Sequence, residues 1–156
     1  LDLVNPYRFR APLAPAIAAA LEGKKIDIRR IVSALRALSR KHACMVIEGA
    51  GGIMVPLTMS HHYLDLARVL NLPVLVVARP GLGTINHTLL TIMALRSCRL
   101  RIAGIVINHH SRERSGLAER TGLRAIERLA GVPIIGQVAY GQKDLQTIVQ
   151  HLVTLR

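Results

Sequence analysis

The residues best suited to chemistry follow short apolar runs, and the first group is a glutamate beside a glycine cluster. Glu48 comes directly after Cys44-Met45-Val46-Ile47 and directly before Gly49-Ala50-Gly51-Gly52. A carboxylate at the end of an apolar strand cannot be fully buried without a partner, and Mg²⁺ takes carboxylate oxygens together with phosphates. Glycines let backbone N–H groups approach an anion closely. Two interpretations follow from the residues alone: a Mg²⁺ ligand at Glu48, or a structural glutamate in a turn.

A second glycine-rich segment precedes a predicted helix. Gly81-Leu82-Gly83 is followed by Thr84-Ile85-Asn86, the start of a helical pattern that runs to Arg96. The first N–H groups of a helix have no intrahelical acceptor, so they can bind a phosphate or a carboxylate. The side chain of Asn86 would add a donor. The alternative is an ordinary glycine turn with Thr84 as the N-cap residue.

An asparagine and two histidine pairs complete the polar candidates. Asn108 follows a third apolar run, and its amide offers both a donor and an acceptor, as the edge of a purine requires. An asparagine that ends a strand in a turn explains the position equally well. The pairs His61-His62 and His109-His110 lack a third ligand, and adjacent side chains of an extended chain point in opposite directions. No histidine metal site is therefore predicted.

The elements that must position these residues alternate between short apolar runs and helical patterns. Apolar runs without polar alternation are typical of parallel strands that helices cover on both faces, and ligands bind beyond the carboxyl ends of such strands. The predicted strands are Cys44–Ile47, Val74–Ala78, Ile102–Ile107 and Pro133–Val138. The predicted helices are Ala14–Leu21, one capped by Asp27, Tyr63–Leu70, Thr84–Arg96, Leu117–Leu129 and Asp144–Leu155, and a polar loop is predicted over Asn108–Arg114.

Composition narrows the class of protein. The chain has 156 residues, of which 51 % are hydrophobic, and a formal net charge of +12. That hydrophobicity excludes an intrinsically disordered chain, the length favours one domain over residues 1–156, and no apolar run reaches the roughly 18 residues of a membrane span. Two cysteines favour a reducing, cytoplasmic setting. The arginines are scattered along helices and only 3 % of residues are aromatic, so no nucleic-acid partner is expected despite the charge.

The 156 residues contain no motif for a phosphate-binding loop. Nucleotide enzymes with a parallel sheet usually contain G-x-x-x-x-G-K-[ST], and none of the four lysines has that glycine frame. In folds of this type the loop follows the first strand. It is therefore expected upstream of Leu1.

Several segments together resemble the dethiobiotin synthetase family. They occur in the family's order and span about Asn5 to Ala139. The matching segments are Asn5–Phe9, Pro12–Ala20, Glu48–Gly52, Val55–Leu57, Pro73–Val77, Gly81–Thr91 and Gly104–Asn108.

The resemblance implies a fold and a reaction. The fold is a P-loop NTPase-like α/β domain with a parallel sheet and helices on both faces, of which this chain is roughly the carboxyl-terminal two-thirds, without the first strand and the Walker A loop. The reaction uses ATP and Mg²⁺: 7,8-diaminononanoate takes up CO₂ as a carbamate, ATP activates the carbamate, and the second amine closes the ring of dethiobiotin in biotin biosynthesis. The family's enzyme is a cytoplasmic homodimer with substrate at the interface.

The resemblance also implies three groups of binding residues. Glu48 is the Mg²⁺ ligand, and the backbone of Gly49-Ala50-Gly51-Gly52 lies beside the carbamate. The helix start Gly83-Thr84-Ile85-Asn86 holds the substrate carboxylate from the neighbouring subunit. Asn108 reads adenine, and Gln137-Val138-Ala139-Tyr140 is the adenine-side loop.

The chain departs from the family's pattern at two places. Ala14-Pro15-Ala16 replaces the usual Ser-Pro-His near the substrate, and Ala139 replaces a proline of the adenine loop. The lysines that activate the carbamate are expected upstream, so no catalytic residue is assigned within this chain and residues 1–156 alone are expected to be inactive. Two alternatives remain: a related cobyrinate-type amidoligase, which shares the E-G-A-G-G segment, and a non-catalytic interaction domain of the same fold.

Overall fold

The computed structural model describes residues 2–111 and 116–154. Contacts divide the chain into two compact units on either side of the Leu70–Asn71 bond. The single domain over residues 1–156 stays a prediction. In the described residues, none of the helices has the length and apolar character needed to cross a membrane.

Over residues 2–70, the first unit has three helices and a short hairpin. Helix α1 covers Pro15–Leu21 and α2 covers Ile28–Ser39, and the Asp27 side chain caps α2 by accepting the Arg29 N–H at 2.9 Å, as predicted. The antiparallel strands β1 (Pro56–Thr58) and β2 (His61–His62) lead into α3 (Tyr63–Leu70).

The strand predicted over Cys44–Ile47 is wrong for the described structure. The segment has no assigned strand, and Val46 is 89 % exposed. A strand is stable only when its backbone pairs with a neighbour, and no described residue pairs with this segment. An apolar run alone is therefore not sufficient to form a strand here.

The described residues of the second unit form a three-stranded parallel sheet in which each strand precedes a helix. The strands are β3 (Val74–Ala78), β4 (Ile102–Asn108) and β5 (Ile134–Val138), in the order β3-β4-β5. The helices are α4 (Thr84–Ser97), α5 (Leu117–Ala130) and α6 (Gln146–Thr154). This confirms the α/β class with a parallel sheet. Leu155, in the predicted last helix, and positions 112–114 of the predicted loop lie outside the described residues.

Burial distinguishes the central strand from its neighbours. Five consecutive residues of β4, Ala103–Ile107, are buried, as predicted for a strand covered on both faces. In β3, which pairs with one neighbour among the described residues, Val77 is 61 % exposed. Along α4 the buried positions are Thr84, Thr88, Ile92 and Leu95, so two hydroxyl side chains belong to the stripe that the apolar pattern places at Ile85 and Leu89.

Candidate nucleotide and substrate sites

The carboxyl ends of β4 and β5 bring the predicted nucleotide residues together. The parallel register sets Asn108 opposite Val138, and the N–H of His109 donates to the Val138 C=O at 2.9 Å. Gln137 and Ala139 flank Val138 along the chain. Four residues predicted from two separate segments therefore lie at one edge of the sheet, where ligands of parallel sheets bind.

Side chains tie the two strand ends to each other. Nε2 of His109 lies 3.3 Å from Oε1 of Gln137, a hydrogen bond in which the imidazole N–H donates. Asn108 and Gln137 are both exposed. Within residues 2–111 and 116–154, the amide NH₂ of Gln137 has no hydrogen-bond partner, so it can donate to a ligand at this edge.

The start of α4 is the second candidate site. Gly83 is the N-cap residue with φ +86°, and no side chain caps the helix within the described part of the chain, so the alternative with Thr84 as N-cap is excluded. The N–H groups of Thr84 and His87 donate to backbone carbonyls at 3.3 and 3.0 Å. Those of Ile85 and Asn86 meet no acceptor within the described ranges. Two free donors at a helix start fit a carboxylate or a phosphate.

The backbone conformation at position 83 favours glycine. Its φ lies in the left-handed region that other residues rarely adopt. A Cβ there would lie 3.4 Å from the His87 ring, an ordinary van der Waals contact, so the backbone conformation and not crowding favours glycine. The glycine therefore sets the direction in which the chain enters α4 and presents the free N–H groups.

The third candidate site is the glycine cluster after Glu48. A Cβ on Gly49 would lie 3.1 Å from the Tyr63 ring, and a Cβ on Gly51, which has φ +84°, would lie 2.9 Å from the Val55 side chain. The C=O of Gly52 accepts the Val55 N–H at 3.0 Å. The cluster therefore folds closely onto the residues that lead into the hairpin and α3.

The hairpin and α3 support this cluster through backbone hydrogen bonds and a cap. The N–H groups of Tyr63 and Leu64 donate to the carbonyls of Val55 and Ile53 at 3.1 and 2.9 Å. The His62 N–H donates to Oδ2 of Asp65 at 2.8 Å, the back-reaching half of a capping box. This backbone hydrogen bond lowers the pKa of Asp65 below its usual value.

Glu48 fits a Mg²⁺ ion that is held mainly by other oxygens. Its side chain is exposed, and within residues 2–111 and 116–154 it makes no ion pair or hydrogen bond. The same residues contain no cluster of three or more histidine, cysteine, aspartate or glutamate side chains that could hold a metal. Mg²⁺ commonly binds through one or two carboxylates plus phosphates and water, so a single free carboxylate suits it.

Comparisons with known proteins match nearly the whole chain. A family described as an AAA domain matches residues 1–145. The ATP-dependent dethiobiotin synthetase BioD of Anaeromyxobacter dehalogenans strain 2CP-1 is 48 % identical over 153 residues, which cover 95 % of this chain and 69 % of that relative. The enzyme of the same name from Bacillus subtilis strain 168 is 43 % identical over 150 residues, covering 96 % of this chain and 64 % of that relative. The chain belongs to the dethiobiotin synthetase family.

The chain spans only part of each of these curated relatives. It spans 69 % of the Anaeromyxobacter dehalogenans strain 2CP-1 protein. It spans 48 % of the Anaeromyxobacter sp. strain K protein of the same name, which is 56 % identical over 108 residues, or 69 % of this chain. Membership of the dethiobiotin synthetase family agrees with the resemblance found in the sequence and with the α/β fold.

Two residues at the strand ends are not found by sequence reasoning. In the sequence, His109 is considered only as a metal ligand, a role that is not predicted; in the structure its side chain bonds to Gln137. Gln142 bonds to the backbone on both sides of the loop after β5. The sequence signal that could have found them is their position, since His109 lies directly after β4 and Gln142 lies shortly after β5. The contact of His109 with Gln137 follows from the strand register, and the contacts of Gln142 follow from the conformation of the loop; the sequence specifies neither.

Proposed function

We propose that a full-length protein carrying this chain is an ATP-dependent dethiobiotin synthetase. The observation that carries the proposal is the 48 % identity, over 95 % of the chain, to a relative of that name. The strand-end cluster and the uncapped start of α4 support it, because the reaction needs a nucleotide site and a carboxylate site.

The substrate side involves two segments. The N–H groups at Ile85 and Asn86 bind the carboxylate of 7,8-diaminononanoate, which reaches them from the neighbouring subunit of a homodimer. The backbone of Gly49-Ala50-Gly51-Gly52 lies beside the amine that has taken up CO₂. Gly83 and Thr84 shape the turn into the carboxylate site.

The nucleotide side lies at the ends of β4 and β5. Asn108 reads the adenine edge with its amide, while Gln137, Val138 and Ala139 border the base. Glu48 binds Mg²⁺, which supplies positive charge to the phosphates of ATP when bound. The loop that cradles those phosphates comes from sequence outside these 156 residues, which contain no G-x-x-x-x-G-K-[ST] segment.

The chemistry joins one carbon between two nitrogens. One amine of the substrate adds to CO₂ and loses a proton to give a carbamate. A carbamate oxygen attacks the γ-phosphate of ATP and releases ADP. The second amine then attacks the carbamate carbon and loses a proton, phosphate leaves with that oxygen, and the ureido ring closes. This chain's residues bind the diamine and the base, while alignment of the phosphates, on which phosphoryl transfer mainly depends, falls to the phosphate loop.

Two asparagine variants of the full-length protein test the proposal. Asn86→Ala removes the side-chain amide, which adds a donor beside the backbone N–H groups at the start of α4. It is expected to weaken diamine binding by roughly ten- to hundred-fold, the value of a hydrogen bond to a charged group, with little change for ATP. Asn108→Ala is expected to weaken ATP binding and leave the diamine unaffected. Calorimetric titration of each ligand measures both. Equal losses of both ligands in either variant would indicate a folding defect and contradict the assignment.

A further inference from the structure

A glutamine outside the sites assigned above braces the loop after β5. Oε1 of Gln142 accepts the Ala139 N–H at 3.0 Å, and its Nε2 donates to the Asp144 C=O at 2.7 Å. The Gln142 N–H donates in turn to the Ala139 C=O at 3.0 Å. Asp144 also accepts the Gln146 N–H at 2.9 Å where α6 begins. One side chain therefore connects the end of β5 with the start of α6.

The brace leaves Ala139 without a free donor. Its N–H is satisfied by the Gln142 side chain, in a loop that turns back through Gly141 at φ +77°. Without this bond, a nucleotide base that covers Ala139 would remove water from an unsatisfied N–H, and burial of an unsatisfied donor is costly. Because Gln142 already accepts that N–H, a base placed over Ala139 would bury no unsatisfied donor there.

We propose that Gln142 is a positioning residue for the nucleotide base. It holds the loop at Ala139 in the conformation that contacts the base, and it keeps the Ala139 N–H satisfied when the base covers it. The inference rests on the proposed nucleotide site at Asn108 and Gln137-Val138-Ala139. Gln142 is exposed, so its side chain can be removed without a change in the buried core.

The first experiment measures steady-state kinetics of the full-length protein with Gln142→Ala. The KM for ATP is expected to rise about threefold to tenfold, the value of a net hydrogen bond, while kcat and the KM for the diamine stay unchanged. Gln150→Ala is the matched control, since it removes the same side chain from an exposed position of α6. An unchanged KM for ATP, or an equal rise in the control, would overturn the proposal.

A second background separates positioning from general loop stability. Proline at position 139 has no N–H, and the Ala139 N–H is bonded only to Gln142 among the described residues. In an Ala139→Pro background, Gln142→Ala is therefore expected to raise the KM for ATP by less than it does alone. An equal rise in both backgrounds would contradict the role of the Ala139 bond.

Hydrogen exchange distinguishes failure of the brace from failure of the nucleotide site. The Ala139 amide is expected to exchange faster in Gln142→Ala than in the parent protein. Faster exchange with an unchanged KM for ATP would overturn the positioning role, and unchanged exchange would overturn the brace. If Asn108→Ala also leaves ATP affinity unchanged, the proposed nucleotide site itself is wrong and the inference falls with it.

Discussion

At the scale of single residues, the candidate sites combine unfilled polar groups with groups that are already held. The carboxylate of Glu48 and the N–H groups of Ile85 and Asn86 have no partner within the described part of the chain. Gln137, in contrast, is oriented by His109 at 3.3 Å. Polar groups without a protein partner can exchange water for a ligand. Side chains that are oriented by a hydrogen bond present their remaining donors and acceptors to the ligand in a fixed direction.

The charge of Glu48 is expected to be essential for turnover. In the full-length protein, Glu48→Gln keeps the shape of the side chain but removes the charge that binds Mg²⁺, so ring closure should be abolished while ATP binding without Mg²⁺ changes little. Assays at several Mg²⁺ concentrations measure this.

A glutamate elsewhere supplies the control for that variant. Oε1 of Glu127 accepts the Ile134 N–H at 3.0 Å, and glutamine retains an oxygen that can accept the same bond. Glu127→Gln should therefore keep full activity. Turnover of Glu48→Gln at the parent rate with saturating Mg²⁺ would refute the metal role.

At the scale of elements, register and caps bring the residues together. The parallel pairing of β4 with β5 places Asn108 beside Val138, and Gly83 begins α4 without a side-chain cap from any described residue. In the other unit, Asp65 accepts the His62 N–H at the start of α3. Each site is therefore held by backbone hydrogen bonds of the elements that flank it.

The cap at Asp65 should make stability depend on acidic pH. The His62 N–H lowers the pKa of Asp65 in the folded chain relative to the usual value of about 3.9. Its contribution is therefore complete above the unfolded pKa and is lost as the pH falls through the lower, folded pKa. Asp65→Ala is expected to reduce the free energy of unfolding by about 1 kcal/mol at pH 7, and by progressively less in acid below pH ~4. Urea unfolding across this pH range measures the difference.

The amide variant controls for the charge of Asp65. Asp65→Asn keeps an oxygen that can accept the His62 N–H and does not titrate. The stability of this variant should therefore lack the acid dependence that the Asp65 carboxylate gives the parent. A difference between Asp65→Ala and the parent that stays constant down to acid pH would contradict the proposed role of this cap.

Local elements are predictable from the sequence to a greater extent than their partners. The apolar runs at Val74–Ala78 and Ile102–Ile107 carry enough β-branched residues to specify strands. The run at Cys44–Ile47 is equally apolar, but a strand also needs a neighbour, which no local pattern supplies. In α4, Thr84 and Thr88 are buried because they face the interior despite their polarity. A prediction from the apolar residues alone therefore places the first two turns of the buried stripe one position too late, at Ile85 and Leu89.

In the candidate sites, too, single residues can be found from the local sequence, whereas the contacts between them cannot. Glu48, Asn86 and Asn108 are predictable because each stands directly after an apolar run or at a helix start. The bonds of His109 to Gln137 and of Gln142 to Ala139 depend on the register and the loop conformation. Those contacts require the structure.

At the scale of the whole molecule, the chain carries binding groups without a phosphate loop. It spans 48–69 % of three of its curated relatives, and it has no G-x-x-x-x-G-K-[ST] segment. Phosphoryl transfer depends almost wholly on positioning and charge stabilisation of the phosphates. The proposed binding groups of this chain therefore account for recognition of ligands and not for the transfer step.

Residues 1–156 alone are accordingly expected to form no dethiobiotin. Purified chain incubated with ATP, Mg²⁺, bicarbonate and 7,8-diaminononanoate should give no product by mass spectrometry, because it lacks the loop that aligns the γ-phosphate. Measurable turnover would mean that another segment binds the phosphates. Lys24-Lys25, which lack a glycine frame, would be the first to substitute.

The most direct test of the proposed function is ring closure by the full-length protein supplied with carbon-labelled bicarbonate, ATP, Mg²⁺ and 7,8-diaminononanoate. We expect dethiobiotin that contains one labelled carbon, formed together with one ADP per molecule. ATP-dependent amidation of a carboxylic acid in place of ring closure would identify an amidoligase. The absence of any ATP-dependent product would identify a non-catalytic domain, and either result would contradict the assignment as a dethiobiotin synthetase.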